Sequence, residues 1–391
     1  MYLSLIIDME LWKMVSKSTN RFQDMVHDTP VPKYYQIALS LKEQIKKNIL
    51  KKGSKMLPER ELAQLFGVSY FTIRQALNEI EKQGLIVRKH GNGNFVADFS
   101  NPGVNFIQFI FFNLDYSIGQ MIEGIEDGAR PLGCNISVRD SGLDLSKEKQ
   151  AVQKLMQIPE SGLIFYPGMK NSRSNVSMIR YMQEMKYPYV LVDRFFDEVD
   201  SSYVVSDDLK GGYGMTEHLI NLGHRRIACL ASANIECSAV KNRIRGYKAA
   251  LKDSGIPVDD GLIKNLHFTE NIQTMNFDEI GDILRAWLQL ESPPTAIFTT
   301  GDIMAVIAMR ILFDMGKKVP DDVSVTGFGG TDVAQFQLIP LTTVKLPVKE
   351  MGREAFNLLC RNMSGDASHN KIVLPPELII RNSSAGCKQK G

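Results

Sequence analysis

Between residues 105 and 362, short apolar segments alternate with amphipathic helical segments. The apolar segments are rich in valine, isoleucine and phenylalanine and predict strands, while the segments between them carry apolar residues at helical spacing. A series of alternating strands and helices forms parallel sheets that are covered by helices on both faces. The roughly 260 residues of this pattern exceed one ordinary core and therefore predict two lobes, each built on a parallel sheet.

The pattern sets the expected positions of these elements. The predicted strands are residues 105–112, 135–139, 162–166, 189–192, 226–230, 296–299 and 323–327. The predicted helices are residues 118–132, 147–156, 175–185, 211–222, 243–254, 277–288, 303–315 and 349–362.

The segment before residue 97 follows a different plan, with three helices and then a hairpin. Ile37, Leu41, Ile45 and Ile49 recur every four residues and predict one buried helical face. From residue 32 to residue 96 there are twelve lysines and arginines against five acidic residues, whereas the rest of the chain is mildly acidic. This asymmetry favours a polyanionic partner for the small basic unit, although a solvated lysine face is the alternative.

A turn precedes, and a hairpin follows, a helix in this unit that can enter the DNA major groove. Gly67 ends the second helix, and Ser69 is a candidate N-cap for a third helix over residues 69–83. The outward residues of the third helix suit phosphates and base edges, since arginine can bind guanine and glutamine can bind adenine through paired hydrogen bonds. The glycine-rich hairpin tip at residues 90–93 allows close backbone approach to DNA.

Residues 32–96 resemble the DNA-binding domain of the GntR family of bacterial regulators. The matching strings are Tyr35-Gln36-Ile37, Glu59-Arg60-Glu61-Leu62-Ala63, Val68-Ser69, Thr72-Ile73-Arg74-Gln75-Ala76-Leu77 and Gly84-Leu85-Ile86, followed by Arg88, Gly91, Gly93, Phe95 and Val96. The resemblance implies a winged helix-turn-helix that binds double-stranded operator DNA as a homodimer, with Arg60, Thr72, Arg74 and the wing tip in contact. The candidate DNA-binding residues are Arg60, Ser69, Tyr70, Thr72, Arg74, Gln75, Arg88, His90, Gly91 and Asn92.

Two residues depart from the GntR pattern. Pro58 stands where the family usually has the serine that caps the second helix, and proline suits a helix start but offers no hydroxyl. Tyr70 stands where the family usually has arginine. The operator sequence therefore cannot be inferred from relatives.

Residues 104–386 resemble the effector domain of LacI/GalR regulators, which has the fold of periplasmic sugar-binding proteins. The matching strings include Leu191-Val192-Asp193-Arg194, His218-Leu219-Ile220-Asn221-Leu222-Gly223-His224, Pro294-Thr295-Ala296-Ile297-Phe298, Val319-Pro320-Asp321-Asp322-Val323 and Leu341-Thr342-Thr343-Val344. The combination with a GntR-type head resembles the arabinose-repressor group. It implies an α/β body of two lobes joined by three crossovers: lobe one at 104–205 and 344–365, and lobe two at 206–343 and 366–386. A linker is expected at residues 97–103.

The resemblance implies an effector between the lobes, at the carboxyl ends of the parallel strands. A sugar there needs fixed donors and acceptors, because each unpartnered buried hydroxyl costs about 1–3 kcal/mol. Asp302 fits the N-cap of helix 303–315 equally well. The candidate effector-binding residues are Asp115, Tyr116, Ser117, Asp140, Asp193, Arg194, Arg243, Asp302 and Lys345.

Three positions differ from the sugar-binding relatives. Gly301 and Gly329 stand where those relatives commonly have asparagine and aspartate, and Leu346 stands where they often have glutamine. We hypothesise an effector that is bulkier or bears fewer hydroxyls on that wall, such as an oligosaccharide, a phosphorylated sugar or a modified one. Arg194, Arg243 and Lys345 could meet a negative group. A cleft that binds no ligand is the alternative.

Other functions find little support in the sequence. The five scattered cysteines and six histidines form no C-x-x-C pair, H-E-x-x-H motif or other recognised metal pattern, and no nucleophile or nucleotide-binding motif of an enzyme is present. We expect no cofactor, and no membrane partner because no segment approaches about 18 consecutive apolar residues. We expect a cytoplasmic location, because the scattered cysteines fit reduced thiols and the apolar residues 3–7 are followed by charges rather than by a cleavage site. A solute-binding protein for transport is therefore disfavoured. Residues 1–29 are either a flexible arm or a mis-called start, with Met25 as a plausible start.

Overall fold

The computed structural model describes residues 31–47, 49–51, 53–82, 85–89, 93–96, 106–112, 116–142, 144–158, 161–168, 172–232, 237–266, 276–364 and 369–388. The chain divides into two compact units, Met1–Pro102 and Gly103–Gly391, which we call the head and the body. The predictions for residues 1–29, for the linker at 97–103 and for the wing tip at 90–92 lie outside the described residues.

In its described part, the head contains three helices and a hairpin. They are α1 Lys33–Lys46, α2 Glu59–Phe66, α3 Tyr70–Lys82, β1 Ile86–Lys89 and β2 Gly93–Val96, with β1 antiparallel to β2. Gly67 ends α2 in the left-handed conformation at φ 63°. The Oγ of Ser69 accepts a hydrogen bond from the Thr72 N–H at 3.1 Å, as an N-cap does. These two residues set the turn that positions α3.

One prediction for the head is wrong. Ile37, Leu41 and Ile45 are buried as expected, but Ile49 is 47% exposed. The reason is that α1 ends at Lys46, so the spacing of four residues no longer places Ile49 on the buried face. Leu50, at 2% exposure, enters the core instead.

The body alternates strands and helices, as the sequence pattern predicts. The first half holds β3 Phe106–Phe111, α4 Tyr116–Ala129, β4 Asn135–Asp140, α5 Leu145–Leu155, β5 Ser161–Phe165, α6 Ser172–Glu184, β6 Tyr189–Val192, β7 Tyr203–Ser206 and α7 Asp208–Asn221. The second half holds β8 Ile227–Ala231, α8 Ser238–Asp253, β9 Ile263–Asn265, α9 Phe277–Leu288, β10 Ala296–Thr299, α10 Asp302–Asp314, β11 Ser324–Gly329, α11 Asp332–Gln335, β12 Thr342–Lys345, α12 Val348–Met363, β13 Lys371–Leu374 and β14 Glu377–Ile379.

These strands form two sheets, one in each lobe. Their orders are β13-β7-β6-β5-β3-β4 in lobe one and β14-β12-β11-β10-β8-β9 in lobe two. Within the described residues every pairing in the two sheets is parallel except that between β12 and β14. The fold class expected from the sequence, α/β with parallel sheets in two lobes, is confirmed.

The lobe boundaries differ from the expected ones near the end of the chain. Lys371–Leu374, expected in lobe two, pairs in parallel with Tyr203–Ser206 in the sheet of lobe one. Thr342–Lys345 belongs to the sheet of lobe two up to Lys345, two residues beyond the expected boundary at 343. The third crossing therefore comes after β13, because this short edge strand completes the first sheet before the chain leaves it.

Glycines allow two pairs of helices to pack at very short distance. A Cβ at Gly124 of α4 would collide with the backbone oxygen of Lys349 in α12, and one at Gly352 of α12 would collide with that of Met121 in α4. In lobe two, Gly212 of α7 stands in the same way against α8. Helix α12 follows the crossover from β12, so its seat on α4 fixes that crossover to lobe one.

None of the helices within the described residues is both long enough and apolar enough to cross a membrane.

We predict that Gly124→Ala lowers the free energy of unfolding of the body by roughly 1–3 kcal/mol, because the added methyl group must push α12 away from α4. Calorimetric unfolding of the full chain measures this. Gly119→Ala on the same helix is the matched control, since no atom lies within 4 Å of its Cβ position. There the better helix propensity of alanine should stabilise by up to about 1 kcal/mol. Equal effects of the two changes would contradict the close-packing argument.

Candidate functional site

The outward side of α3 carries the predicted DNA contacts of the head. Arg74 and Gln75 are exposed there, and Arg60 is exposed on α2. Ser69 and Thr72 are partly committed to each other, because their hydroxyl oxygens lie 2.8 Å apart in the cap of α3. Along α3, the side chains of Arg74 and Gln75 are therefore more available to a partner than those of Ser69 and Thr72.

Tyr70 contacts the neighbouring helix. Its hydroxyl donates a hydrogen bond to the carboxylate of Glu59, and this bond together with the negative charge raises the pKa of Tyr70. The contact joins the start of α3 to the start of α2, where Pro58 supplies no side-chain cap. Tyr70 remains 48% exposed, so its ring is still accessible from outside.

Arg88 of the wing is held against α3. Its guanidinium donates to Oδ1 of Asn78, and its Nε lies 3.1 Å from Oε2 of Glu81. Arg88 would have to leave Asn78 and Glu81 in order to make the predicted contact with DNA. In this structure Arg88 instead links the wing to α3. The other predicted wing residues, His90, Gly91 and Asn92, lie outside the described residues.

In the body, Asp193 and Arg194 directly follow β6 of lobe one. Asp193 has a left-handed backbone at φ 66°, which is uncommon for a residue other than glycine, and its N–H donates to the Val204 oxygen at 3.0 Å. The Nε of Arg194 lies 3.3 Å from Oδ2 of Asp193. The guanidinium carbon lies 4.5 Å from the ring centre of Phe112 and 5.0 Å from that of Tyr166.

Arg243 lies on α8 of lobe two. Its Nε lies 2.8 Å from Oδ1 of Asp208, its Nη1 donates to the Thr300 oxygen at 2.9 Å, and its guanidinium carbon lies 4.1 Å from the ring centre of Phe328. Burial, reinforced by the charge of Asp193, raises the pKa of Asp208 to about 7 against the attraction of Arg243. The acidic group of Asp193 in lobe one therefore contributes to the raised pKa of Asp208 in lobe two.

The two lobes also contact each other beside these charges. The N–H of Phe195 in lobe one donates to Oγ of Ser238 in lobe two at 3.0 Å, and Lys241 pairs with Asp197 at 3.2 Å. Phe196 belongs to the same buried cluster as Cys237 of lobe two. The segment after β6 thus places Asp193 and Arg194 next to the start of α8.

Asp302 has its partners inside lobe two. Gly301 is the N-cap of α10, and Asp302 is its first residue. One carboxylate oxygen accepts hydrogen bonds from the N–H and hydroxyl of Thr331, at 2.7 and 2.8 Å, and the other accepts one from the hydroxyl of Thr343. With 2% exposure, Asp302 ties the loop after β11 to β12, and we assign it a structural role.

The remaining effector candidates are less closely grouped. Oδ1 of Asp140 accepts from the N–H of Gly142 at 2.7 Å in an exposed turn, and Ser117 is half-buried near the start of α4. Lys345 is exposed and lines a groove of about 660 Å³ with Glu123 and Glu377. Asp115 lies outside the described residues, and Tyr116 is the first residue of α4.

Gly301, expected to replace an asparagine of the relatives, lies close to a methionine side chain. A Cβ at Gly301 would meet the Met304 Cε at 3.4 Å, an ordinary contact with the flexible end of a side chain. Leu346, the third departure, is 9% exposed and packs inside the protein. Gly301 therefore presents no side-chain amide to a ligand, while a Cβ at this position would already contact Met304.

Sequence reasoning missed Asp208, Thr300 and the aromatic rings of the site. Asp208 begins α7 directly after β7, and that strand was not predicted, so this residue could not be placed at a strand end. A signal did exist in Asp207 and Asp208, since two acidic residues at a helix start are typical of an N-terminus.

Two family models match the chain. Residues 33–96 match the bacterial regulatory proteins of the gntR family, and residues 216–384 match the periplasmic binding protein-like domain. The chain is 31% identical over 369 residues to the arabinose metabolism transcriptional repressor of Geobacillus stearothermophilus, covering 90% of this chain and 98% of that protein. It is 34% identical over 268 residues to the HTH-type transcriptional regulator DegA of Bacillus subtilis (strain 168), covering 68% and 77%.

Solved structures resemble the body. A regulatory protein of the LacI family from Chloroflexus aggregans aligns with a TM-score of 0.64 and 25% identity, covering 72% of this chain and 99% of that one. The chain belongs to the family of bacterial transcriptional repressors that join a gntR-type head to a periplasmic-binding-protein-like body. The resemblances expected from the sequence are confirmed.

Proposed function

We propose that this chain is a cytoplasmic, homodimeric repressor of carbohydrate-utilisation genes, which binds double-stranded operator DNA through its head and a sugar-like effector between the lobes of its body. The observation that carries the proposal is a contact between the lobes beside two ion pairs: the N–H of Phe195, which follows the Asp193–Arg194 pair, donates to Ser238 on the helix that carries Arg243. Such a site can sense how the lobes are oriented, because its groups come from both of them. Relatives named as repressors of arabinose metabolism and of the ribose operon support the carbohydrate assignment.

Operator binding is assigned to α3 and the wing. Arg74 and Gln75 are exposed in the first half of α3, the part of a recognition helix that reaches base edges in the major groove. The basic surplus of the head supplies attraction to phosphates. Arg88, held by Asn78 and Glu81, keeps the wing in place beside that helix.

We predict that Arg74→Ala abolishes specific operator binding, because one arginine–guanine contact contributes about 1–3 kcal/mol of discrimination in each half-site. Binding to a duplex selected from random DNA by the full chain, measured by gel shift, tests this. The matched control is Arg130→Ala, an exposed arginine of the body. Effector affinity should be unchanged in both variants. Unaltered gel shifts with Arg74→Ala would mean that α3 is not the recognition helix.

The dimer is assigned to an apolar surface of lobe two. The three most exposed large apolar side chains among the described residues are Leu338, Phe336 and Phe313, with exposures of 104%, 76% and 74%. Phe313 lies on α10, and the other two follow α11 directly. A second copy of this chain is the expected occupant, since a dimer sets two heads at the spacing of a palindromic operator.

We predict that Leu338→Asp converts the dimer into a monomer, because a carboxylate buried in an apolar interface is strongly unfavourable. Analytical ultracentrifugation of the full chain measures the change. Leu290→Asp, at a position that is 42% exposed elsewhere in lobe two, is the control and should leave the dimer intact. A dimer that survives Leu338→Asp, or a wild-type monomer at micromolar concentration, would contradict this assignment.

The charges of the cleft favour a neutral effector over a phosphorylated one. Arg194 already lies beside the carboxyl group of Asp193, and Arg243 beside that of Asp208, so an added anionic group would have to approach an acidic side chain in either place. Guanidinium and carboxylate groups together can donate to and accept from sugar hydroxyls. The absence of polar side chains at Gly301 and Gly329 favours a ligand longer than one sugar ring.

We predict that the full chain binds a neutral di- or oligosaccharide more tightly than any pentose, hexose or sugar phosphate, as measured by isothermal titration calorimetry. Asp193→Asn should weaken binding by roughly ten-fold through loss of a charged acceptor. Asparagine tolerates the left-handed backbone of this residue, so the fold should persist. Asp282→Asn, at an exposed carboxylate, is the control. Tighter binding of a plain monosaccharide would overturn the size argument, and no binding of any sugar would overturn the effector assignment.

The mechanism that follows is a shift between two arrangements of the lobes. An effector that binds one arrangement more tightly raises its population and thereby changes the affinity of the dimer for the operator. By linkage, operator DNA must weaken effector binding by the same factor by which the effector weakens operator binding. The direction we propose is release of the operator by the effector.

A further inference from the structure

The buried side chains of α3 define which of its residues face away from the head. Ile73, Leu77 and Ile80 have no exposure and mark the inward side. With about 3.6 residues per turn, Phe71 lies roughly opposite the centre of this buried face. It is 67% exposed, the largest exposure of any large apolar side chain in the described part of the head.

Phe71 shares its side of the helix with the residues assigned to base contacts. Arg74 and Gln75 are three and four residues further along, so their side chains neighbour that of Phe71. Tyr70, one residue earlier, is tied to Glu59 of α2. A phenyl ring forms no conventional hydrogen bond with a base or a phosphate, so an apolar surface is the partner that suits it best.

The DNA major groove presents one apolar group, the 5-methyl group of thymine. Arg74 is exposed beside Phe71, and residues 32–96 carry twelve basic against five acidic residues, which favours DNA over an apolar protein partner. We propose that Phe71 determines operator sequence by packing against a thymine methyl group, next to the base pairs contacted by Arg74 and Gln75. This inference rests on the proposed operator binding through α3.

Replacement of thymine by uracil tests the contact, because it removes the methyl group and leaves base pairing unchanged. Duplexes are first selected from a random library with the full chain, and each thymine of the consensus is then replaced singly by deoxyuridine. At one thymine in each half-site, we expect the dissociation constant of the wild-type protein to rise about four-fold, which corresponds to about 0.8 kcal/mol for one apolar carbon.

Phe71→Ala should bind the thymine and uracil duplexes equally and should lose the preference for an A·T pair at that position. Because Phe71 is exposed, the variant should unfold at the wild-type temperature. Leu39→Ala, which removes an apolar side chain 46% exposed on α1, is the control and should keep the four-fold effect. These two variants separate contact with DNA from a general loss of apolar surface.

Each opposite outcome has its own meaning. If uracil leaves the dissociation constant unchanged at every position, the proposed thymine contact is wrong while operator binding stands. The same holds if uracil weakens DNA binding by Phe71→Ala as much as binding by the wild type. If Phe71→Ala retains full DNA affinity and the wild-type A·T preference but loses binding to another protein, the side chain serves a protein partner instead. If no duplex is enriched in the selection, operator binding itself is wrong.

Discussion

The body depends on three places where the chain passes from one sheet to the other: after β7, after β12 and after β13. These crossings are held side by side by backbone hydrogen bonds. The N–H of Asp207 donates to the Leu374 oxygen at 2.8 Å, which joins the first crossing to the third. Lys345 stands opposite Glu377 in the pairing of β12 with β14, which joins the second to the third. Because the connections lie together, the lobes can reorient while each sheet remains intact.

In both the head and the body, the side chains assigned to ligand contact are positioned by the end of a helix or a strand. Ser69 fixes where α3 begins and thus which of its residues face outward. Strand β6 ends at Val192, so Asp193 and Arg194 project where lobe one meets lobe two. In both units a buried core holds these side chains in position. The ligands they bind can differ between proteins without a change in that core.

The fold could be predicted from the sequence where apolar runs are long or buried. Strands such as β3, β5 and β8 lie inside sheets and have near-continuous apolar sequences, which is why their positions were predictable. Strands β9, β13 and β14 are short edge strands with exposed residues, and β12 contains two buried threonines, so none of them has such a run. The error in the lobe boundaries follows from missing β13.

The candidate site was predictable in its residue types but not in its pairings. The position of Arg243 in the cleft follows from family resemblance, but its ion pair with Asp208 requires two helices to meet. Asp302 has the spacing of an N-cap, yet its carboxylate reaches Thr331 and Thr343, which are distant in sequence. Sequence pattern specifies on which side of an element a residue lies, whereas such partners depend on how elements pack.

The glycine contacts between α12 and α4, and between α7 and α8, have a mechanical consequence. Helices α7 and α12 each follow a crossing, and their close seats leave little room for them to shift within their own lobes. Close-packed protein interiors deform little. A twist of the crossings is therefore passed on to each whole lobe as rotation, and the displacement it produces grows with distance from the crossings. The lobes then work as stiff levers, in which a small movement at the ligand becomes a larger one at the outer surface.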